Sequence, residues 1–463
     1  MDPSREDVAA MMAAATSFVT EFLDGLPHAP ASHVTDGDVP ALLEPPAERP
    51  GELGELLATF RDAAAHAVET AGPGYLAYFP AGGLFSSALA ELLANTVNRY
   101  TGVSSTAPAL VAMEQGVLRW LCAEFGLPDG SGGIVTTGAS MATLSALVAA
   151  RERVLGGPLP AGTIYVTEHT HHCVAKAAHL AGFTPEQLRT VPTSDGLRMD
   201  PSAAAEAITR DRAEGHVPFL LVGTAGSTST GTIDPLGALA EVALREGLWF
   251  HVDAAYGGGF QLTERGRAKL AGIERADSVT LDPHKTMFLP YGTGVLLVRA
   301  VSDLRAAHSA DADYLQDLRR DPLLPDYADL GPELTREFRG LRLWLPLHLH
   351  GVAAFRSALD EKLDLAAWAH RELSRFAEVP TEPDLTVLTF RVPGGDDAAN
   401  RRALERINAG RRIFLSSTRI GGRFTPRLCV LSLRTHRPHV EEAVRIVRDA
   451  VVSASRGTPA AAP

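Results

Sequence analysis

The stretch Ser278-Val279-Thr280-Leu281-Asp282-Pro283-His284-Lys285 decides how this chain is read. Its first four residues form a short β-branched run that reads as a strand. Asp-Pro ends that run, and a lysine follows a histidine just past the end. Upstream lies a second run, Leu248-Trp249-Phe250-His251-Val252-Asp253-Ala254-Ala255-Tyr256-Gly257-Gly258, with an aspartate at its own strand end. Both belong to a longer alternation. Strands are predicted at Gly133–Thr136, Thr163–Thr167, Gln187–Val191, Phe219–Gly223, Trp249–Val252, Ser278–Leu281 and Gly294–Val298, with helices such as Ser140–Leu155 and Ala238–Glu246 between several of them. Strands alternating with helices predict an α/β fold with a doubly wound, mainly parallel sheet. Ligands of such sheets sit beyond the carboxyl ends of the strands, which would gather Thr137, His171, Thr224, Asp253 and Lys285 at one edge.

A lysine at one strand end and an aspartate at the previous one are what pyridoxal phosphate chemistry requires. The lysine forms a Schiff base with the cofactor aldehyde. The aspartate keeps the pyridine nitrogen protonated, so that the ring can draw in electrons. Other stretches supply parts for such a site. Gly132-Gly133-Ile134-Val135-Thr136-Thr137-Gly138-Ala139-Ser140 ends a strand and opens a helix, where backbone N–H groups and the helix N-terminus favour an anion. A phosphate on Ala139 and Ser140 fits this stretch, and so does a plain helix cap at Ser140. The loop lacks GxGxxG and the Walker Gly-Lys-Ser/Thr, so dinucleotide and nucleoside-triphosphate binding find no support.

His169-Thr170-His171-His172-Cys173 matches no common zinc spacing and no HExxH, and no metal is expected there. One histidine stacking over an aromatic cofactor is the better reading. The hydroxyl-rich run from Gly223 to Pro235 reads as turn chemistry, with Thr224 at the strand end able to bond a ring substituent. Ala255 is small enough for a ring to lie flat beside it.

At 463 residues, 45% hydrophobic and 21% charged, the chain is an ordinary globular sequence with room for a large core. A formal net charge of −12 argues against nucleic-acid or anionic-membrane partners. Three scattered cysteines, Cys122, Cys173 and Cys429, suit a reducing cytoplasm. The beginning of the chain reads as neither a secretory signal nor a membrane span. Four parts are expected: an N-terminal helical arm over 1–70, a large cofactor domain over 71–335, a smaller α+β domain over 336–455, and a disordered tail over 456–463. Helices are predicted at 5–25, Glu52–Thr70, Ser86–Tyr100, Leu110–Phe125, Arg336–Gly351 and His439–Ser453. Further strands are expected near Leu385–Val392 and Arg427–Ser432.

Taken in order, these pieces resemble the group II pyridoxal-phosphate decarboxylases, the family that includes the aromatic-L-amino-acid decarboxylases. The likeness runs from Gly74-Tyr75-Leu76-Ala77-Tyr78-Phe79-Pro80 to Arg427-Leu428-Cys429. It implies the type I aminotransferase-like fold, a homodimer with active sites at the interface, and decarboxylation of an L-amino acid to its amine. By motif, Lys285 resembles the Schiff-base lysine and His284 a phosphate contact. Asp253 resembles the partner of the pyridine nitrogen, His171 the ring-stacking histidine, and Ala255 the opposite face. Ala139 and Ser140 fit the phosphate loop, and Thr224 the ring hydroxyl. Tyr327, in Leu324-Pro325-Asp326-Tyr327-Ala328-Asp329, matches the family's loop tyrosine that delivers a proton; an ordinary tyrosine in a Pro-rich surface loop is the alternative.

Tyr78, Phe79 and Pro80 resemble the aromatic substrate wall. Gly72-Pro73-Gly74 stands where aromatic-specific relatives usually carry His-Pro. Arg99 reads as a carboxylate ligand for a polar substrate or as a solvated helix-end arginine. An aminotransferase, or an aldehyde synthase that uses oxygen, remains an alternative on the same fold. A non-enzymatic scaffold sits poorly with the full set of Lys285, Asp253, His171 and His284.

Overall fold

The structure is a computed structural model. It describes residues 1–37, 39–157, 159–194, 196–309 and 323–456. Seven strands build the central sheet: β1 Gly132–Thr136, β2 Gly162–Val166, β3 Leu188–Thr190, β4 Val217–Thr224, β5 Trp249–Asp253, β6 Ser278–Leu281 and β7 Gly294–Val298. Their spatial order is β1-β7-β6-β5-β4-β2-β3. β3, β2, β4, β5 and β6 are mutually parallel, whereas β7 runs antiparallel to both β1 and β6. The sheet is therefore mostly parallel, and each predicted strand is present. β1, β2, β5, β6 and β7 are buried at every position, which is why they read as continuous apolar or β-branched runs rather than alternating ones. The link from β6 to β7 holds the helical turn Pro283–Thr286 and is too short for a crossover helix as well, so β7 returns antiparallel.

A second, antiparallel sheet holds β8 Val387–Thr389, β9 Ser416–Ile420 and β10 Arg423–Cys429, in the order β8-β10-β9. Two hydrophobic cores result. The helix Val352–Leu373 feeds both: Phe355, Leu359 and Leu363 pack into the first, and Leu365, Ala369 and Leu373 into the second. The helix predicted at Arg336–Gly351 is shorter, Gly340–His350, because Arg336 and Phe338 precede it and Gly351 breaks it at φ +73°. The last helix, Arg437–Ser455, runs past the predicted end; the expected disordered tail lies, beyond residue 456, outside the described residues.

Residues 71–82 run as a strap tied to the second sheet and its following loop. Gly74 O accepts from Phe414 N–H, Leu76 N–H donates to Phe414 O, and Leu76 O accepts from Cys429 N–H. Arg434 Nη1 reaches the carbonyls of Ala71 and Gly82, and Thr435 Oγ1 donates to Pro73 O. At its far end the strap meets the lysine-bearing turn. A Cβ at Gly82 would come within 2.6 Å of Phe288, whose carbonyl accepts from Leu84 N–H.

The N-terminal helices Arg5–Gly25 and Leu53–Ala65 contain no buried residue. They touch through Phe18 stacked on Phe60 at 5.6 Å and an Arg61–Glu21 pair at 3.0 Å. Among the described residues, no helix is long and apolar enough to cross a membrane.

Candidate active site

β4 and β5 end together, with Thr224 paired in register with Asp253, and Asp253 is paired in turn with Thr280 of β6. Lys285 sits on the turn that follows β6. His171 follows β2, and Ala139 opens the helix Ala139–Leu155 after β1. These strand ends surround a cleft of about 180 Å³. Lys285, Asp253, His171 and Thr224 line it, as do Ala255 and, at one end, Ala139, Ser140 and His284. Phe79 closes it from the strap.

The Ala139 end is rich in charge. Ala139 N–H donates to Asp282 Oδ1 at 2.7 Å, and Lys285 Nζ lies 2.9 Å from Asp282 Oδ2. His284 Nδ1–H donates to Thr293 O at 2.8 Å, while its Nε2 faces Asp282 Oδ2 at 3.6 Å. Burial holds His284 below the usual histidine range, against the pull of Asp282.

At the other end Asp253 is 5% exposed, and its Oδ1 accepts from Ala255 N–H at 3.1 Å. Thr224 N–H is fixed by Asp234 Oδ2 at 2.8 Å, but the buried Thr224 Oγ1 has no hydrogen-bond partner among the described residues. Burial raises Asp234 to about 6. His171 Nδ1 accepts from Cys173 N–H at 3.3 Å, which leaves the ring proton on Nε2. Burial lowers His171 as well, so the neutral ring is favoured.

Phe79 stacks on Tyr256 at 4.1 Å, and Lys285 Nζ lies 5.5 Å from the Phe79 ring centre. Tyr256 approaches this closely because Gly226, at φ +102°, has no side chain; a Cβ there would lie 2.6 Å from the tyrosine ring. Arg427 also lies against Phe79, at 4.8 Å. Its Nη1 donates to Tyr78 O at 3.0 Å, whereas its buried Nε and Nη2 have no partner among the described residues. Sequence reasoning gave neither Arg427 nor Asp282 a role. The signal for Arg427 was present, as a lone charge heading the apolar run Leu428-Cys429-Val430-Leu431.

Four expected residues stand elsewhere in their own chain. Tyr78 is 57% exposed, and Pro80 is buried but does not line the cleft. Arg99 is exposed and donates to Val97 O at the end of the helix Phe85–Val97. Tyr327 is 2% exposed, with Arg336 over its ring at 4.6 Å, and shares a separate pocket with Met141 and Ser145. Its hydroxyl has no partner among the described residues.

The residues present fit pyridoxal phosphate. A lysine, a buried carboxylate and an orphaned threonine hydroxyl converge on one cleft, and a helix N-terminus with a histidine marks its anion end. Comparison with known proteins agrees. The pyridoxal-dependent decarboxylase conserved domain matches residues 38–393. An aromatic-L-amino-acid decarboxylase of Bacillus atrophaeus is 31% identical over 445 residues, covering 93% of each chain. A phenylacetaldehyde synthase of Arabidopsis thaliana is 31% identical and covers 81% of each chain. The crystal structure of Oryza sativa TDC with PLP and tryptamine superposes with a TM-score of 0.92 at 26% identity, covering 98% of this chain and 99% of that one. The chain therefore belongs to the pyridoxal-dependent decarboxylase family, and is a pyridoxal-phosphate-dependent carboxy-lyase with a type I fold.

Proposed function

We propose that the chain removes the α-carboxyl group of an aromatic L-amino acid and releases the amine. The observation that carries the substrate class is the Phe79–Tyr256 stack beside Lys285, an aromatic wall at the mouth of the chemistry. Arg99, the candidate for binding an acidic side chain, is absent from the cleft lining.

When bound, pyridoxal phosphate supplies an electron-withdrawing ring for the electron pair left by departing carbon dioxide. Lys285 Nζ is the amine proposed to hold its aldehyde carbon, Thr224 Oγ1 its ring hydroxyl, and Ala139, Ser140 and His284 its phosphate. Asp253 is proposed to hold the pyridine N–H. The Ala255 amide occupies Oδ1 and so orients the carboxylate for that task. Ala255 and His171 are proposed to flank the two ring faces, with the His171 proton on Nε2.

Arg427 is the proposed anchor of the substrate carboxylate. It lies against Phe79 just outside the cleft lining, is buried, makes no ion pair among the described residues, and has no hydrogen-bond partner there for Nε and Nη2. Tyr327 is proposed to protonate the substrate carbon. To do so Tyr327 must leave its buried place beneath Arg336; its hydroxyl, without a hydrogen-bond partner among the described residues, has none to break.

The proposed assembly is a homodimer. It is supported by Met11, Phe22, Leu56 and Phe60 on the two N-terminal helices, apolar side chains that their own chain leaves exposed. The proposed location is the cytoplasm, from the sparse cysteines.

A second reading, decarboxylation with release of an aldehyde, is favoured by the placement of Tyr327 outside the cleft of its own chain. Product analysis decides between them. The cofactor-loaded protein is given aromatic, acidic and basic L-amino acids while carbon dioxide, amine, aldehyde and ammonia are followed together. Carbon dioxide with the matching aromatic amine is expected. Aldehyde with ammonia selects the second reading, and an acidic amino acid as best substrate removes the aromatic one.

A further inference from the structure

We propose that the Asp282 carboxylate, standing inside the phosphate end of the cleft, limits how tightly the cofactor is held. The helix Ala139–Leu155 has no side-chain cap of its own, because Gly138 precedes it. Asp282 supplies that cap from the end of β6, through Oδ1 and the Ala139 amide at 2.7 Å. Its other oxygen faces two basic side chains, Lys285 Nζ at 2.9 Å and His284 Nε2 at 3.6 Å. The side chain is 4% exposed.

A phosphate bound at this end must share the Ala139 amide and His284 with a carboxylate that is already there. Like charges at such range, screened by little water, repel. An asparagine could cap the helix through the same oxygen without the charge, so the aspartate does more than capping demands. The charge also gives Lys285 an adjacent counter-ion whenever substrate displaces it. The cofactor is thus held less tightly than the site's geometry allows, and its retention depends on supply.

This inference rests on the assignment of the phosphate to the Ala139 end. The test uses the full chain as parent, Asp282→Asn and His284→Gln. Two probes are titrated by fluorescence: pyridoxine 5′-phosphate, which has the phosphate but no aldehyde to engage Lys285, and pyridoxine, which lacks both. Release of pyridoxal phosphate from each holoenzyme on dilution is followed by absorbance. Asp282→Asn is expected to tighten pyridoxine 5′-phosphate by about 10-fold, leave pyridoxine nearly unchanged, and slow cofactor release by a similar factor. Asp282→Ala, which removes the charge and frees the amide, carries the same expectation if the asparagine variant folds poorly. Equal or weaker binding of the phosphorylated probe by the neutral variants overturns the proposal. His284→Gln is expected to weaken only the phosphorylated probe. If it leaves the preference for phosphate intact, the assignment of the phosphate end fails and the inference falls with it. If His284→Gln behaves as expected and Asp282→Asn changes nothing, the inference alone fails.

Discussion

His251 should make this protein lose stability as the solution is acidified, and the structure gives the size of the loss. The imidazole lies on β5 two residues before Asp253 and is 2% exposed. Trp249 Nε1 can only donate, so at 2.8 Å it uses Ser278 Oγ as an acceptor. The Ser278 proton is then left for His251 Nδ1, also at 2.8 Å, which fixes the neutral ring with its proton on Nε2. Burial lowers His251 from the ordinary 6.5 to about 4, with the Asp253 charge opposing. The unfolded chain therefore takes up this proton near pH 6.5, while the folded chain resists until about pH 4. The stabilisation is present above the unfolded value and is lost as pH falls towards the folded one. Between pH 7 and pH 5 the loss comes to about 2 kcal/mol. Asp234, raised to about 6, acts in the opposite sense, because its folded form is protonated before its unfolded form as pH falls. A single stability curve mixes the two, but the difference between parent and His251→Gln cancels Asp234. Urea unfolding of both cofactor-loaded proteins at pH 7 and pH 5 is the assay. Whatever His251→Gln costs at pH 7, it should cost about 2 kcal/mol less at pH 5. A difference that stays constant between the two pH values would refute the argument that a buried, uncharged imidazole supplies the linkage.

Other substitutions test the cleft directly. Asp253→Ala should retain a borohydride-trappable cofactor link yet lose turnover by roughly 10³-fold, the scale of one preorganised charge; near-normal rates would remove Asp253 from the ring nitrogen. Arg427→Met should lower kcat/KM by about 10- to 100-fold, from the loss of a charged hydrogen bond, with the melting temperature held or raised because an unpaired buried cation is gone. A large drop in melting temperature with kcat/KM intact would make Arg427 a packing residue. Tyr327→Phe should shift product from amine towards aldehyde and ammonia; an unchanged ratio would leave Tyr327 as part of the Arg336 pocket alone.

The central sheet was legible because a parallel strand covered on both faces must be apolar or β-branched throughout, and its ligand-side residues follow at once in sequence. Asp253 ends β5, and Lys285 stands on the turn just beyond β6, so local reading found both. Contacts made across the chain were not legible. The Ala139–Asp282 bond joins residues 143 apart, and the Arg427–Tyr78 bond joins residues 349 apart. Nothing near Asp282 distinguishes an anion inside a cleft from the Asp-Pro that commonly ends a strand. β9 escaped notice because Ser416-Ser417-Thr418-Arg419 reads as a polar loop, and only pairing with β10 makes it a strand. Tyr327 and Arg99 were placed by motif position. Motif position does not say that one hydroxyl is tucked under Arg336 or that one guanidinium folds back on its own helix end.

On the proposed roles, the strap over residues 71–82 separates what the enzyme grips from what it does. Phe79 reaches the cleft on a segment whose hydrogen bonds run to Phe414, Arg427, Cys429, Arg434 and Thr435, while the lysine and the carboxylates stand on the central sheet. An engineer seeking a new side-chain preference should therefore transplant the strap together with its moorings. Exchanging the aromatic residue alone would leave the new wall hung from an old frame, and the chemistry on the sheet would be blamed for a fault of suspension.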